Sequence, residues 1–132
     1  MTSTTPFRLD PKTGVPVYRQ IIDQILAAIA AGAMHPGEQL PTVRQVAVDL
    51  AINPNTVARA YRELEIRGVL STQQGLGTFV ASTPVKVDEA ERQRRLSQLA
   101  ADCAARAGAA GFKVAELVER LQELAAEPES RR

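Results

Sequence analysis

Residues 42–77 hold the side chains best suited to recognise another molecule through directed hydrogen bonds. Amides can pair bidentately with adenine, guanidinium groups can pair with guanine or with phosphate, and hydroxyls can bond to either. These groups favour recognition of a DNA duplex over catalysis. The candidate DNA-contacting residues are Thr42, Arg44, Asn53, Asn55, Thr56 and Arg59, followed by the glycines Gly75 and Gly77.

Residues typical of catalytic and metal sites are scarce. The chain has one histidine, His35, in a turn, and one cysteine, Cys103, within a helical pattern. Neither has partners at the spacing of a catalytic triad or a metal site. The Gly75-Leu76-Gly77 segment lies in a hairpin pattern and does not open a helix, unlike a nucleotide-binding loop. We therefore expect no enzyme, no metal and no cofactor.

Two short helical patterns joined by a turn would position the polar side chains. Thr42 is a suitable N-cap for the first helix, Asn53 for the second, and Pro54 suits the first position of a helix. Gly68 can end the second helix. The apolar stripes are Val43, Val46, Ala47 and Leu50 in the first helix, and Val57, Ala60, Tyr61 and Leu64 in the second. A pair whose second helix presents polar groups at its N-terminus is typical of a helix-turn-helix.

A β-hairpin is predicted directly after the second helix. Residues 69–73 and 78–81 have strand composition, and Gln74-Gly75-Leu76-Gly77 forms a glycine turn between them. A hairpin in this position is a wing. Its two glycines would let the backbone approach a phosphate or enter a minor groove without a Cβ in the way. Residues 38–40 are expected to add a short strand to this hairpin.

These segments resemble the winged-helix DNA-binding domain of the GntR family of bacterial transcription regulators. The resemblance is carried by the entry helix VPVYRQIIDQILAAIAAGAMHPGEQLPTVRQVA, the second helix NPNTVARAYRELEIRGVL and the wing GLGTFV. The roughly 50 residues after the wing are similar to the short tail of the YtrA-type subfamily, since a separate effector domain would need ~100 residues or more. The resemblance implies a sequence-specific transcription regulator that acts as a dimeric repressor on an inverted-repeat operator.

The resemblance also implies roles for individual residues. Base edges would be contacted by Asn55, Thr56 and Arg59, phosphates by Thr42 and Arg44, and the flanking backbone or minor groove by the wing. The family often has a basic residue where this chain has Ala58, so Arg59 would take over that contact from a slightly different angle.

Each of these residues also has a structural interpretation. Arg44 could be a solvated helix residue, Asn55 and Thr56 could cap the helix, and Arg59 could pair with Glu63 at i+4. Arg62 and Arg67 are expected to be solvated or structural, and Tyr18 and Tyr61 to be core or interhelix residues. An alternative function is a winged-helix module that binds other proteins or binds DNA architecturally, without discriminating between DNA sequences. Such a module would expose large apolar residues on the second helix.

The composition is consistent with one small domain and an appendage. The fold class is mainly α with a small β-hairpin wing (α+β), in which a winged helix-turn-helix is followed by a two-helix dimerisation tail. We predict a flexible N-terminal arm over residues 1–10, the winged helix over 11–84, a helical hairpin over 85–127 and a disordered tail over 128–132. A scaffold helix with its apolar stripe at Val17, Tyr18, Ile21, Ile22, Ile25 and Ile29 should pack behind the helix pair.

Net charge and hydrophobic pattern define the expected partners. The net charge is +1, and residues 1–86 hold eight Lys or Arg against six Asp or Glu. Binding to a double-stranded DNA operator should therefore depend on a few specific side-chain contacts and on two winged-helix domains (heads) that bind together, and less on overall positive charge. The single cysteine and the lack of a signal peptide or an apolar span indicate a cytoplasmic protein that binds no membrane. A small-molecule inducer would have to bind between the C-terminal helices or between them and the head.

The C-terminal helices carry apolar stripes that a two-helix hairpin cannot bury alone. A second copy of the chain is the economical partner, so we predict a homodimer. Alternatively, the stripes could pack within the same chain, on the first helix of the winged-helix domain. The predicted dimerisation residues are Leu96, Leu99, Cys103, Leu117, Leu121 and Leu124.

Overall fold

The computed structural model describes residues 6–82 and 88–130, with side chains described as far as Ala126. The chain divides into two compact units, residues 1–82 and 83–132. The elements are α1 (Val17–Ala30), α2 (Val43–Leu50), α3 (Pro54–Ile66), β1 (Leu70–Gln73), β2 (Gly77–Val80), α4 (Glu89–Ala109) and α5 (Val114–Ser130). The predicted fold class, mainly α with one hairpin, is confirmed.

Capping residues fix the starts of both α2 and α3. The Thr42 hydroxyl accepts from the Gln45 backbone N–H at 3.1 Å, and Gln45 Oε1 accepts from the Thr42 backbone N–H at 2.8 Å. This reciprocal pair is a capping box. At α3, Asn53 Oδ1 accepts from the Asn55 backbone N–H at 2.8 Å, and Pro54 takes the first position. Both predicted N-caps are confirmed.

The core of the first unit joins all three of its helices. The Ile21, Ile22 and Ile25 side chains of α1 are fully buried. They belong to one cluster with the buried residues Val46, Ala47, Val57, Ala60, Tyr61 and Leu64 of α2 and α3. These residues are the apolar stripes that the sequence predicts. Burying such side chains stabilises the unit by about 1.5–3 kcal/mol each, so α3 is held rigidly by its inner face.

Residues 6–10 are attached to α1. Phe7 is 5% exposed and belongs to the core cluster. The Gln24 side chain bonds both the N–H and the carbonyl of Arg8, and the Gln20 side chain does the same for Asp10. The predicted flexible arm of residues 1–10 overlaps this attached segment, and its first five residues lie outside the described residues.

The wing is a two-stranded antiparallel hairpin in which Leu70 pairs with Val80 and Gln73 with Gly77. Residues 38–40 join its outer edge, with a single bridge between Gln39 and Phe79. Hydrogen bonds of 2.8 Å run from the Leu40 N–H to the Thr78 carbonyl and from the Val80 N–H to the Glu38 carbonyl. The predicted third strand is therefore present as one isolated β-bridge.

The second unit is a helical hairpin. Asp88 caps α4, its carboxylate accepting from the Ala90 N–H at 3.2 Å. The chain turns at Gly111, whose φ is 87°, and the Phe112 N–H donates to the Ala107 carbonyl at 2.8 Å. Helix α5 continues to Ser130, so the predicted disordered tail of residues 128–132 overlaps its last turn. The run of Leu, Glu and Ala residues before it favours that continuation. No helix among the described residues is long and apolar enough to cross a membrane.

The Tyr61 hydroxyl ties α3 to the segment before α2. Tyr61 is 3% exposed, its hydroxyl donates to the Pro41 carbonyl at 2.7 Å, and burial raises its pKa. We expect Tyr61→Phe to lower the free energy of unfolding by about 1 kcal/mol, because it removes one hydrogen bond and leaves the carbonyl unpaired. Urea denaturation measures the change. Tyr18→Phe is the matched control, and equal stability of the two variants would contradict the assigned bond.

Candidate nucleic-acid interface

The N-terminal half of α3 presents three of the predicted DNA-contacting side chains. Asn55 and Arg59 are exposed, and Thr56 is half-buried. In the described part of the chain, the Asn55 side chain has no hydrogen-bond partner, so its amide is free to bond a base edge. Asn55 and Arg59 lie four residues apart, on the same face of the helix. Opposite this face, Val57, Ala60, Tyr61 and Leu64 are buried, which fixes the direction that the polar residues point.

Asn53 and Thr42 have structural roles that leave part of their hydrogen-bonding capacity unused. Asn53 Oδ1 is occupied by the α3 cap, so only its side-chain N–H groups are free to donate. The Thr42 oxygen accepts from Gln45, and its hydroxyl hydrogen remains free to donate. A phosphate oxygen is an acceptor that suits both groups. Capping and DNA contact are therefore compatible at these two positions.

Arg44 lies on the first turn of α2 and is exposed. Among residues 6–82 and 88–130 it has no hydrogen-bond or ion-pair partner. The neighbouring Val46 and Ala47 are buried in the core, so the base of the arginine side chain is anchored while its guanidinium is free. A positive charge on a fixed stem at a helix start is suited to bind a phosphate.

Arg59 contacts an aromatic ring. Its Cζ atom lies 3.8 Å from the centroid of the Tyr18 ring, which belongs to α1. The alternative of an Arg59–Glu63 ion pair is wrong: the Arg59 guanidinium lies over the Tyr18 ring, and Glu63 pairs instead with Arg67, with a 3.3 Å distance between Arg67 Nη2 and Glu63 Oε2. Arg67 is thus structural, as expected, whereas the contact between Tyr18 and Arg59 is not evident from the sequence pattern.

The wing tip is shaped by a side chain from the adjoining segment. Gly75 and Gly77 have φ values of 82° and 123°, which only glycine adopts readily. Gln39 Nε2 donates to the Leu76 carbonyl at 2.9 Å, and a Cβ added at Gly77 would lie 2.6 Å from that nitrogen. Gly77 is therefore favoured by its positive φ, and a Cβ at this position would displace the end of the Gln39 side chain from the Leu76 carbonyl. Sequence reasoning missed Gln39, because the pattern gives no sign of a contact between residues so far apart.

The wing is also tied to α3. The Thr72 hydroxyl donates to the Glu65 carboxylate, and its oxygen lies 3.2 Å from the Thr78 hydroxyl oxygen on the paired strand. These contacts join the C-terminal half of α3 to both strands. Helix and wing should therefore approach a duplex as one rigid surface.

The tail helices expose most of the predicted dimerisation residues. Exposure is 52% for Leu96, 59% for Leu99, 50% for Leu121 and 49% for Leu124. Cys103 and Leu117 are half-buried and line a cleft of about 440 Å³ between α4 and α5. Further exposed apolar residues are Phe112, Val114 and Val118. Val118 adds to the predicted stripe.

Comparison with known proteins identifies the family. Residues 17–80 match the bacterial regulatory proteins of the gntR family. The HTH-type transcriptional repressor YtrA of Bacillus subtilis (strain 168) is 36% identical over 124 residues, which cover 91% of this chain and 92% of YtrA. The structure of YtrA from Sulfolobus acidocaldarius, a GntR-family transcription factor, matches with TM-score 0.56 and 30% identity over 92% of this chain and 97% of that one. AraR(DBD) in complex with operator ORX1 matches with TM-score 0.50 and 28% identity over 57% of this chain and 93% of that one. The chain therefore belongs to the GntR family of bacterial regulatory proteins.

Proposed function

We propose that this transcription regulator is a homodimeric repressor that binds an inverted-repeat operator in the cytoplasm. The observation that carries the proposal is the polar face of α3, with Asn55 and Arg59 exposed and Thr56 half-buried beside them, while the opposite face of the helix is buried in the core. The likeness to the YtrA repressor and to AraR(DBD) bound to an operator supports it. Repression would follow from occupation of a promoter by the dimer.

Sequence readout is assigned to the N-terminal half of α3. An α-helix fits the major groove, where an amide pairs with adenine and a guanidinium with guanine. Asn55 and Arg59 supply these two groups on one face, and the half-buried Thr56 supplies a hydroxyl at the side of that face. Each well-placed bidentate pair is worth about 1–3 kcal/mol of discrimination against a wrong base.

Register on the duplex is assigned to phosphate contacts around this helix. Arg44 supplies a positive charge, and Thr42 and Asn53 supply free donors beside their capping bonds. The wing would touch the flanking backbone or minor groove through Gly75 and Gly77. Such contacts position a protein without reading sequence.

Dimerisation is assigned to the tail. Leu96, Leu99, Leu121 and Leu124 are about half exposed in a single chain, and a second copy would cover them. Two symmetry-related heads would then require two half-sites in opposite orientation, about one helical turn (~10 bp) or a multiple of it apart. Within the tail, the cleft between α4 and α5 is where a small-molecule inducer would bind.

The alternative function, a protein-interaction or architectural module, needs a different surface. An interaction face on α3 would expose large apolar side chains, whereas its N-terminal half exposes Asn55 and Arg59. Ile66 is 78% exposed, but it lies at the C-terminal end of α3, and Val48, 72% exposed, lies on α2. The polar face favours sequence-specific DNA binding over this alternative.

A specificity ratio tests the proposal. A duplex is selected with the chain from a randomised library, and its affinity is compared by fluorescence anisotropy with a shuffled duplex of equal length and composition at one salt concentration. We expect the selected duplex to bind about 10³-fold or more tightly than the shuffled one. Equal affinities would favour the architectural alternative.

Removal of the Arg44 charge is expected to weaken binding without regard to sequence. Arg44→Ala should lower the affinity for the selected and the shuffled duplex by similar factors, and flatten the salt dependence by about one unit for each head. Titrations at several salt concentrations measure both quantities. Arg67→Ala, which removes the same charge from the far end of α3, is the matched control. A loss restricted to one base pair of the selected duplex would show that Arg44 reads sequence.

A further inference from the structure

The contact between Arg59 and Tyr18 joins the proposed recognition helix to α1. We propose that Tyr18 is a positioning residue for DNA recognition, whose ring holds the Arg59 guanidinium ready for the major groove and keeps that contact in the complex. The inference rests on the proposed function, because it assumes that Arg59 contacts a base. It assigns to α1 a part in readout that its sequence pattern, a core stripe, does not indicate.

Tyr18 is a rigid platform. It is half-buried at the second position of α1 and packs against the core cluster that contains Ile21, Ile22 and Ile25. The fully buried isoleucines of the following turns fix the rotation of α1 about its axis. The point at which the ring attaches to the backbone is therefore fixed, and Arg59 Cζ lies 3.8 Å from the ring centroid.

Stacking leaves the hydrogen-bonding edge of Arg59 available. A guanidinium over an aromatic ring uses its planar face, while its five N–H donors lie along its edges. No described residue accepts a hydrogen bond from Arg59, and the nearest carboxylate along its face, Glu63, is already engaged by Arg67. The arginine is thus oriented by a contact that does not consume the donors needed for guanine or phosphate.

Orientation by the ring should improve affinity by lowering the entropy lost on binding. A free arginine side chain loses rotamer freedom when it is fixed. A ring that already restricts it removes part of that loss, and a cation–π contact at an exposed site corresponds to about a two- to five-fold effect on affinity for each head. If the contact broke on binding, the ring would oppose recognition and its removal would strengthen binding.

A double-mutant cycle tests the inference on the full-length chain. Affinities for the selected duplex are measured for the wild type, Tyr18→Leu, Arg59→Ala and the double variant. We expect Tyr18→Leu to weaken binding about two- to five-fold for each head in the Arg59 background, and to have no effect when Arg59 is alanine. Tyr18→Phe, which keeps the ring, should bind like the wild type. An equal loss in both backgrounds would show a structural role and overturn the inference.

The wild-type chain offers a second readout that does not depend on a variant. The Tyr18 ring current should shift the Arg59 Hδ resonances in the NMR spectrum of the free protein, and we expect that shift to persist when the selected duplex is added. Loss of the shift, or tighter binding by Tyr18→Leu, would show that the ring sequesters Arg59.

If Arg59→Ala alone leaves the affinity unchanged, the proposed base contact fails. If Arg59→Ala weakens binding but shows no coupling to Tyr18, only the platform fails.

Discussion

Leu121→Asp is expected to convert the dimer to a monomer and to weaken binding to the full operator strongly. Leu121 is 50% exposed in the single chain and lies in the stripe that we assign to the dimer interface. Each buried leucine stabilises by about 1.5–3 kcal/mol, and the symmetry of a dimer doubles the loss. Separate heads also lose the gain from effective concentration, so the affinity for a full operator should fall about 10²–10⁴-fold.

Sedimentation velocity and anisotropy titrations measure these two effects on the full chain. Gln122→Asp is the matched control, because it adds the same charge at the next residue, to the side of the stripe. Affinity for a single half-site should be unchanged in Leu121→Asp, which separates assembly from readout. If the variant still sediments as a dimer and binds the full operator unchanged, the interface lies outside the tail.

Arg59→Ala is also expected to give a large effect, a loss of about 1–3 kcal/mol for each head that is confined to the selected duplex. Arg59 is exposed on the α3 face that carries Asn55, and no described residue competes for its N–H donors. Titrations against the selected and the shuffled duplex at fixed salt measure the difference. Arg67→Ala should retain both affinities, and an equal loss on the two duplexes would make Arg59 a phosphate contact.

Local features of this fold are predictable because they depend on neighbours in sequence. Thr42 and Asn53 cap the helices as predicted, since a capping bond spans only two or three residues. The stripe of α3 is buried as predicted, and that of α2 is buried at Val46 and Ala47 and partly buried at Val43 and Leu50, since helical periodicity places each stripe on one face. Membership of the GntR family, with a YtrA-like tail, is also confirmed.

Contacts between elements are less predictable, because they depend on how helices pack. The Arg59–Glu63 pair satisfied the i+4 rule, yet Glu63 pairs with Arg67 and Arg59 lies over Tyr18. A competing partner on another helix carries no periodic signal. The Gln39 contact at the wing tip has the same character, since it joins residues 37 positions apart.

The sequence of the selected duplex is the measurement that most directly tests the central claim. A randomised duplex library is cycled through binding to the full-length chain, and the enriched sequences are aligned. Two symmetric heads that each read bases through α3 predict an inverted repeat, with half-sites centred about one helical turn (~10 bp) or a multiple of it apart. Enrichment of a single unrepeated half-site, or no enrichment at all, would contradict a dimeric sequence-specific regulator.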